Sequence, residues 1–233
     1  MLILAIDTAL DHCAAAVLDI DSAAMRAEET LSMKRGHAEA LMPLIARVMR
    51  QSGAGFHELD RIAVTTGPGS FTGLRVGLSA ARGIALAAHR PVVGVTTLSA
   101  YAAPIVSEDR TSPVISAIDA RHDHLYYQVV SGSGEELVAP QVATIADVLA
   151  AARSGAPHLV GNAASILADR WPSDAVAPVA VDTRAGPDIA WVAWLGAAAD
   201  PAHAAARPFY LRAPDVKPPA KTPLEPARTA ASQ

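Results

Sequence analysis

Residues 67–75, which read GPGSFTGLR, have the residue types and spacing that come closest to a binding site. They lie between a predicted strand and a predicted helix, where backbone N–H groups and the helix dipole can receive an anion. No Lys-Ser or Lys-Thr follows the glycines, so the segment is not a P-loop. Thr72 stands where a dinucleotide-binding turn needs its third glycine. Gly67, Gly69 and Ser70 are therefore candidates for a residual nucleotide contact that follows neither of these two motifs.

The cysteine and histidine residues do not form a recognisable catalytic or metal-binding arrangement. Cys13 lies in an apolar run, which favours a buried structural thiol, because a reactive cysteine needs partly exposed, electropositive surroundings. His122 and His124 lie two residues apart without an evident third ligand, which favours exposed histidines over a metal site. Neither HExxH nor Gly-x-Ser-x-Gly occurs, which excludes the zinc peptidase and hydrolase classes. We predict no catalytic residues and no metal site.

Composition and charge are those of a folded protein that does not grip nucleic acid by itself. The 233 residues are 51% hydrophobic and 18% charged, and the net charge is −4. Strong phosphate binding needs a concentrated basic surface. A negative net charge is still compatible with a small basic patch. The amino terminus lacks a basic start and a long apolar run, and no apolar stretch approaches membrane-spanning length. We expect a cytoplasmic protein without membrane contact.

Hydrophobic periodicity predicts one order of elements twice along the chain. Ala5-Ile6-Asp7 precedes Asp11-His12, and Ala117-Ile118-Asp119 precedes Asp123-His124, at an offset of 112 residues. We predict two tandem lobes, residues 1–107 and 108–212, each with the order β-β-β-α-β-α-β-α and the second one reduced. This plan resembles the ribonuclease-H-like lobes of the actin, Hsp70 and sugar-kinase superfamily. Residues 213–233, rich in Pro and Ala, are predicted to be a mobile tail.

The string GPGSFTGLR is very specific, and it resembles the signature of the bacterial TsaB (YeaZ) family. Four further stretches agree with that family: LAIDT at residues 4–8, HAE with LMP at 37–43, DAR with LY at 119–126, and PFYLR at 208–212, which resembles its terminal strand. The resemblance covers nearly all of the chain up to residue 212.

The resemblance implies an accessory subunit in the synthesis of threonylcarbamoyladenosine in tRNA. Family members pair with the catalytic subunit TsaD through helices of the first lobe, and the ATPase TsaE joins them. Alone they form homodimers through much the same surface. The complex uses ATP and Mg²⁺ and transfers its group to the adenosine next to the anticodon. For this chain we therefore expect no tightly bound cofactor, and contact with tRNA only through the complex.

Two positions bear on whether the chain retains a nucleotide site. In the actin-like fold, the acid and hydroxyl at Asp7 and Thr8 approach the nucleotide, but Ala9 stands where the family usually has Ser. Either the two residues make a residual nucleotide contact, or Asp7 only caps its own turn. The catalytic relative binds a metal through two histidines four residues apart, and Leu41 stands at that distance from His37.

The first two of the three helices predicted for the first lobe have more apolar surface than one small lobe needs. Core packing accounts for part of it, and a partner or homodimer interface for the rest. The candidate interface residues are Leu41, Leu44, Ile45, Val48, Leu74, Gly77, Leu78 and Ala81. A large charged residue at Gly77 or Ala81 is then expected to weaken docking without unfolding the chain.

The alternative function is an actin-fold ATPase or transferase that acts alone with its own nucleotide site. The missing histidine pair counts against it. A dinucleotide-dependent oxidoreductase is disfavoured, because that fold alternates strands and helices from its start and this chain opens with three predicted strands.

Overall fold

The computed structural model describes residues 1–151 and 155–212. Within these ranges the chain forms ten strands and six α-helices, with a short 3-10 helix at Phe56–Glu58. The strands are Leu2–Asp7 (β1), His12–Asp19 (β2), Ala24–Ser32 (β3), Arg61–Gly67 (β4), Val92–Thr96 (β5), Val114–Asp119 (β6), His124–Val130 (β7), Glu136–Thr144 (β8), His158–Val160 (β9) and Ala180–Asp182 (β10). The helices are His37–Ser52 (α1), Phe71–Ala88 (α2), Thr97–Glu108 (α3), Ile145–Ala151 (α4), Ala164–Asp169 (α5) and Ile189–Ala198 (α6).

The two halves repeat one sheet topology. The first sheet has the order β3-β2-β1-β4-β5 and the second the equivalent order β8-β7-β6-β9-β10. In each sheet the first two pairings are antiparallel and the last two parallel. The predicted order of elements is therefore confirmed in both halves, with shorter helices α4 and α5 in the second.

Local sequence signals explain where three of the helices begin or end. The Ser70 hydroxyl accepts the backbone N–H of Gly73 at 3.2 Å and so caps the start of α2. Gly53 adopts a left-handed conformation and ends α1, which glycine does without steric cost. Asp188 caps α6 by accepting the N–H of Ala190 at 2.9 Å. Caps of this kind supply partners for helix-end groups that would otherwise lack them.

The last helix of each half covers the sheet of the other half. Helix α6 packs against β1, β2 and β4, where its Val192 and Ala193 join Ile3 in an apolar cluster. Helix α3 packs against β6 and β7, with Tyr101 beside Ile118. The outer faces are covered by α1 and α2 on the first sheet and by α4 and α5 on the second. The two helices α3 and α6 thus form a shared layer between the sheets. The ranges 1–107 and 108–212 stay a prediction as domain limits.

The pattern analysis missed or misplaced some elements. The three-residue strand β10 fills the last strand position of the order predicted for the second half, but the sequence did not locate it, because its exposed edge lacks an apolar alternation. Residues 208–212, expected as a terminal strand, are not a strand; the backbone there is held by the bond from Phe209 N–H to the Thr66 carbonyl at 2.8 Å. The predicted tail 213–233 lies outside the described residues. Among the helices of the described ranges, none has the length and apolar character needed to cross a bilayer.

Gly196 offers a direct test of the contact between α6 and the first sheet. A Cβ at Gly196 would overlap the Cβ of Ala63, whereas a Cβ at Gly83 of α2 would meet nothing within 4 Å. Gly196→Ala should therefore lower the free energy of unfolding by about 1–3 kcal/mol. The matched Gly83→Ala should raise it by about 1 kcal/mol, because alanine is the better helix former. Urea unfolding of both variants checks the contact, and equal effects would contradict it.

Candidate functional site

Residues 67–70, which we call the GPGS turn, precede α2 and pack against the connection between β1 and β2. The N–H of Ser70 donates to the Ala9 carbonyl at 2.7 Å, and the Thr8 hydroxyl donates to the Gly73 carbonyl at 2.7 Å. Thr8 is 1% exposed and Ala9 is fully buried. The first turn of α2 therefore contacts the Thr8–Ala9 backbone directly.

Three glycines make this close approach possible. A Cβ at Gly69 would overlap the Ala9 carbonyl, and a Cβ at Gly73 would overlap the Thr8 carbonyl. One at Gly77 would overlap the Thr8 hydroxyl. The glycines at 69, 73 and 77 thus serve close packing of backbone on backbone. The space in which an anion would approach the turn is filled by the chain itself.

Asp7, at the end of β1, is fully buried, and groups of the chain itself surround its carboxylate. Oδ1 accepts the Thr65 hydroxyl at 2.6 Å and the Ala9 N–H at 2.8 Å. Oδ2 lies 2.8 Å from Nε2 of His12, an ion-pair distance at which the ring is not aligned for a straight hydrogen bond. Burial acts to raise the pKa of Asp7, but the nearby charge of His12 and the hydrogen bonds from Thr65 and Ala9 outweigh it and hold this pKa below its usual value.

His12 is a buried titratable residue that the sequence analysis did not select as a candidate site residue. Burial acts to lower its pKa, but the neighbouring Asp7 carboxylate outweighs burial and raises the pKa above the usual histidine value. A Cβ on Gly186 would overlap the His12 ring, so the connection between β10 and α6 lies directly over it. The same connection accepts the Tyr101 hydroxyl through the Arg184 carbonyl at 3.2 Å. The only sequence signal was the repeated Asp-His pair at positions 11 and 12.

These contacts bear on the candidate nucleotide residues Asp7, Thr8, Gly67, Gly69 and Ser70. Asp7 makes the bond to its own turn that the capping interpretation requires, and it faces no solvent. The Ser70 hydroxyl already serves as a helix cap. A Cβ on Gly67, whose φ is 108°, would lie 2.9 Å from Leu74 Cδ1, so this glycine serves packing as well. A nucleotide contact stays a prediction, and it requires the GPGS turn to move away from Ala9.

The eight candidate interface residues are all buried, which corrects the expectation that some of them are left exposed for a partner. Leu44, Ile45, Val48 and Ala81 are fully buried, and the others are nearly so. They pack between α1, α2 and the first sheet, where each large side chain contributes roughly 1.5–3 kcal/mol by leaving water. A charged residue at Gly77 or Ala81 would disrupt this core, so it cannot test docking alone.

The exposed side of α1 and α2 is nevertheless apolar. A groove of about 820 Å³ runs between the helices and the 3-10 helix, and a second of about 650 Å³ continues it toward the start of α2. Met42 is 49% exposed and lines both. We call this surface the α1–α2 groove; its main lining residues are Met42, Phe56, Ala80, Gly83, Ile84 and Ala87. Two of its lining residues, Met42 and Ala80, are the sequence neighbours of Leu41 and Ala81, which the sequence pattern selected.

The remaining candidates do not assemble into a reactive centre. Burial raises the pKa of the Cys13 thiol to about 11, which disfavours the thiolate. His122 is exposed, and Nδ1 of His124 lies 2.7 Å from the His122 carbonyl. No group of three or more His, Cys, Asp and Glu side chains placed to hold a metal occurs in residues 1–151 and 155–212.

Two equivalent five-stranded sheets, with an exchanged helix from each half between them, define a two-lobed protein of the actin/Hsp70 ATPase-like superfamily. The model of the TsaD family, tRNA N6-adenosine threonylcarbamoyltransferase, matches residues 25–178. The chain therefore belongs to this family, and its similarity to TsaB and YeaZ proteins places it in the TsaB (YeaZ) branch.

Three relatives illustrate the similarity, two from the TsaB (YeaZ) branch and one named as the transferase. The tRNA threonylcarbamoyladenosine biosynthesis protein TsaB of Haemophilus influenzae is 35% identical over 131 residues, which are 55% of this chain and 53% of the relative. The tRNA N6-adenosine threonylcarbamoyltransferase of a Methylobacterium species is 32% identical over 181 residues, 70% of this chain and 51% of the relative. The solved structure of YeaZ from Pseudomonas aeruginosa has a TM-score of 0.75 and 27% identity, and the match covers 90% of this chain and 99% of that one. The chain spans about half the length of the curated relatives it matches.

The Asp7–His12 pair predicts a pH dependence of stability. Because the pKa of His12 is raised on folding, its contribution is complete below the unfolded value near about 6.5 and is lost as pH rises through the folded value. Because the pKa of Asp7 is lowered, its contribution is present above about 4 and is lost at lower pH. The urea midpoint should therefore fall between pH 6 and pH 9.

His12→Gln should be less stable than the wild type at pH 6. Its urea midpoint should change much less between pH 6 and pH 9 than that of the wild type. The exposed His89 supplies the control, since His89→Gln should retain the wild-type profile. The amino terminus, whose pKa is raised by its bond to Asp21, contributes equally to all three proteins. An unchanged profile in His12→Gln would show that the buried pair is not charged at pH 6.

Proposed function

We propose that this chain is the non-catalytic partner subunit of the complex that transfers a threonylcarbamoyl group to N6 of adenosine 37 in tRNAs that read codons beginning with A. In this proposal it binds and activates a TsaD-like catalytic subunit, together with a TsaE-like ATPase, and contributes no complete active site. Without that partner it forms a homodimer through the same surface.

The observation that carries the proposal is the exposed α1–α2 groove. Met42 and Phe56 present large apolar side chains to solvent, at 49% and 38% exposure. Ala80, Gly83 and Ala87 on α2 are small, so the backbone of a partner helix can approach closely. An apolar, concave surface of this kind on a monomer is typical of a protein interface.

The polar cluster around Asp7 supports an accessory role over an independent ATPase or transferase. A Mg²⁺-nucleotide site needs carboxylate oxygens that face an open cleft. Both oxygens of Asp7 are instead taken up by Thr65, Ala9 and His12. The name of the TsaB relatives, a biosynthesis protein for tRNA threonylcarbamoyladenosine, agrees with an accessory role in that pathway. Other relatives are named as the transferase itself, so the accessory role needs a direct test.

Gly83→Arg should break docking on the catalytic subunit while the fold is retained. The position is open to solvent, so the long cation fills the groove without touching the core. We expect at least about tenfold weaker association in isothermal titration, and a shift of any homodimer toward monomer.

Gly83→Ala should bind normally, and Ala146→Arg, an exposed change on α4 of the second half, serves as the charge-matched control. Circular dichroism and urea unfolding establish that each variant is folded. Undiminished association of Gly83→Arg would place the interface elsewhere.

A drop-out reconstitution tests the accessory role itself. Catalytic subunit, ATPase, tRNA and a labelled threonylcarbamoyl donor are combined with and without this chain, and modified adenosine is counted. We expect product only when the chain and the catalytic subunit are both present, and none from this chain alone. Product from the chain alone would favour the independent enzyme, and equal product without it would rule out the proposed role.

A further inference from the structure

The charges of this acidic protein are distributed unevenly along the sequence. Residues 61–107 contain four arginines and no Asp, Glu or Lys, and residues 201–212 contain two arginines and no Asp or Glu, although the net charge of the chain is −4. One of these arginines, Arg61, is engaged with the carbonyls at the end of α6. Arg82 donates to the Ala206 carbonyl and Arg90 to the His57 carbonyl at 3.0 Å, and neither segment contains a carboxylate side chain.

The fold brings these two segments together on one surface. The Gly94 N–H donates to the Ala204 carbonyl at 2.9 Å, and Arg82 Nε donates to the Ala206 carbonyl at 3.1 Å. Further along, the Phe209 N–H reaches the Thr66 carbonyl at 2.8 Å. The later segment therefore runs along α2 from β5 toward the GPGS turn. We call the exposed arginines of this surface the basic strip: Arg75, Arg82, Arg90 and Arg207.

An exposed aromatic stack stands at the end of the basic strip. The rings of Phe71 and Tyr210 have centroids 5.5 Å apart and an interplanar angle of 30°. The Arg75 guanidinium lies 3.8 Å from the centroid of the Phe71 ring. Tyr210 is 42% exposed and Phe71 is 38% exposed, so the stack faces solvent. Aromatic rings next to arginines in a groove or strip are the arrangement on which unpaired bases stack, because every base has a π-face.

We propose that the basic strip and the Phe71–Tyr210 stack form a binding surface for single-stranded RNA. An unpaired base stacks on Tyr210, and the arginines contact the adjoining phosphates. An acidic peptide would use the arginines but would have no use for the aromatic stack. The proposal rests on the proposed function for the identity of the RNA, which is then a loop of the tRNA substrate.

This surface is compatible with docking of a protein on the α1–α2 groove. On α2, Arg75 and Arg82 are seven residues apart and share one side of the helix. Ala80 and Ile84 of the groove lie roughly 140–180° around the helix from these arginines, since each residue advances about 100°. The two surfaces meet at Phe71 and Arg75, which also line the smaller part of the α1–α2 groove, whereas Arg82, Arg207 and Tyr210 do not line either part of it.

The test is fluorescence anisotropy with labelled oligoadenylate as the single strand and a labelled RNA duplex as its comparison, over a series of salt concentrations. Wild-type full chain should bind the single strand in preference to the duplex. Tyr210→Ala should weaken binding at least about fivefold, and Tyr210→Phe, which keeps the ring, should bind like wild type. Arg207→Gln should weaken binding and reduce the slope of log K against log salt by about 0.7, the value for one phosphate contact on a single strand.

Arg110→Gln, an exposed arginine away from the strip, is the charge control and should leave binding unchanged. Absence of binding at the lowest salt, equal binding by Tyr210→Ala, or equal competition by oligoglutamate would each overturn the proposal. Association with the catalytic subunit is measured on the same preparations. Docking without RNA binding would overturn only this inference, whereas RNA binding without docking would overturn the proposed function and leave the RNA surface in place.

Discussion

The contact of α2 with the connection between β1 and β2 is the constraint on which the rest of the structure depends. Backbone lies on backbone there, with Ser70 N–H on the Ala9 carbonyl and the Thr8 hydroxyl on the Gly73 carbonyl, each at 2.7 Å. Any side chain at Gly69 or Gly73 would force the two segments apart. Their closeness seals the Asp7 carboxylate beneath the turn. It also fixes the rotation of α2, and with it which residues enter the core and which remain outside.

The buried Asp7–His12 pair connects this contact to the second half of the chain. Two charges removed from water are stable only when further groups complete their hydrogen bonds. Thr65 and Ala9 do so for Asp7, while Nδ1 of His12 is buried without a partner among the described residues. The loop that carries Arg184 and Gly186 closes over the pair and continues into α6. The buried polar pair therefore acts as a joint between the halves.

The order of elements in both halves could be predicted from sequence, because apolar periodicity, glycine stops and polar caps all act within a few residues. Strand β10 could not, since a three-residue edge strand carries no periodic signal. The sequence pattern also does not determine which apolar residues of α1 and α2 are buried and which are exposed. Leu44 and Met42 are both apolar and close in sequence, yet one is fully buried and the other is 49% exposed. Only the rotation of α1 against the first sheet separates them, and that rotation is set by the packing of α1 on the sheet and on α2, which the local pattern does not contain.

Helix α2 therefore has three environments around a single axis, and its composition follows from them. The side with Leu74, Leu78 and Ala81 packs on the sheet, and the side with Ala80, Gly83 and Ala87 is small and apolar but exposed. The side with Arg75 and Arg82 is basic and lies beside residues 204–210. A helix that only filled a core would carry charged or polar residues on both outer sides. The absence of any carboxylate from α2 removes the pairs that usually neutralise such arginines, so its positive side is left to an anionic partner.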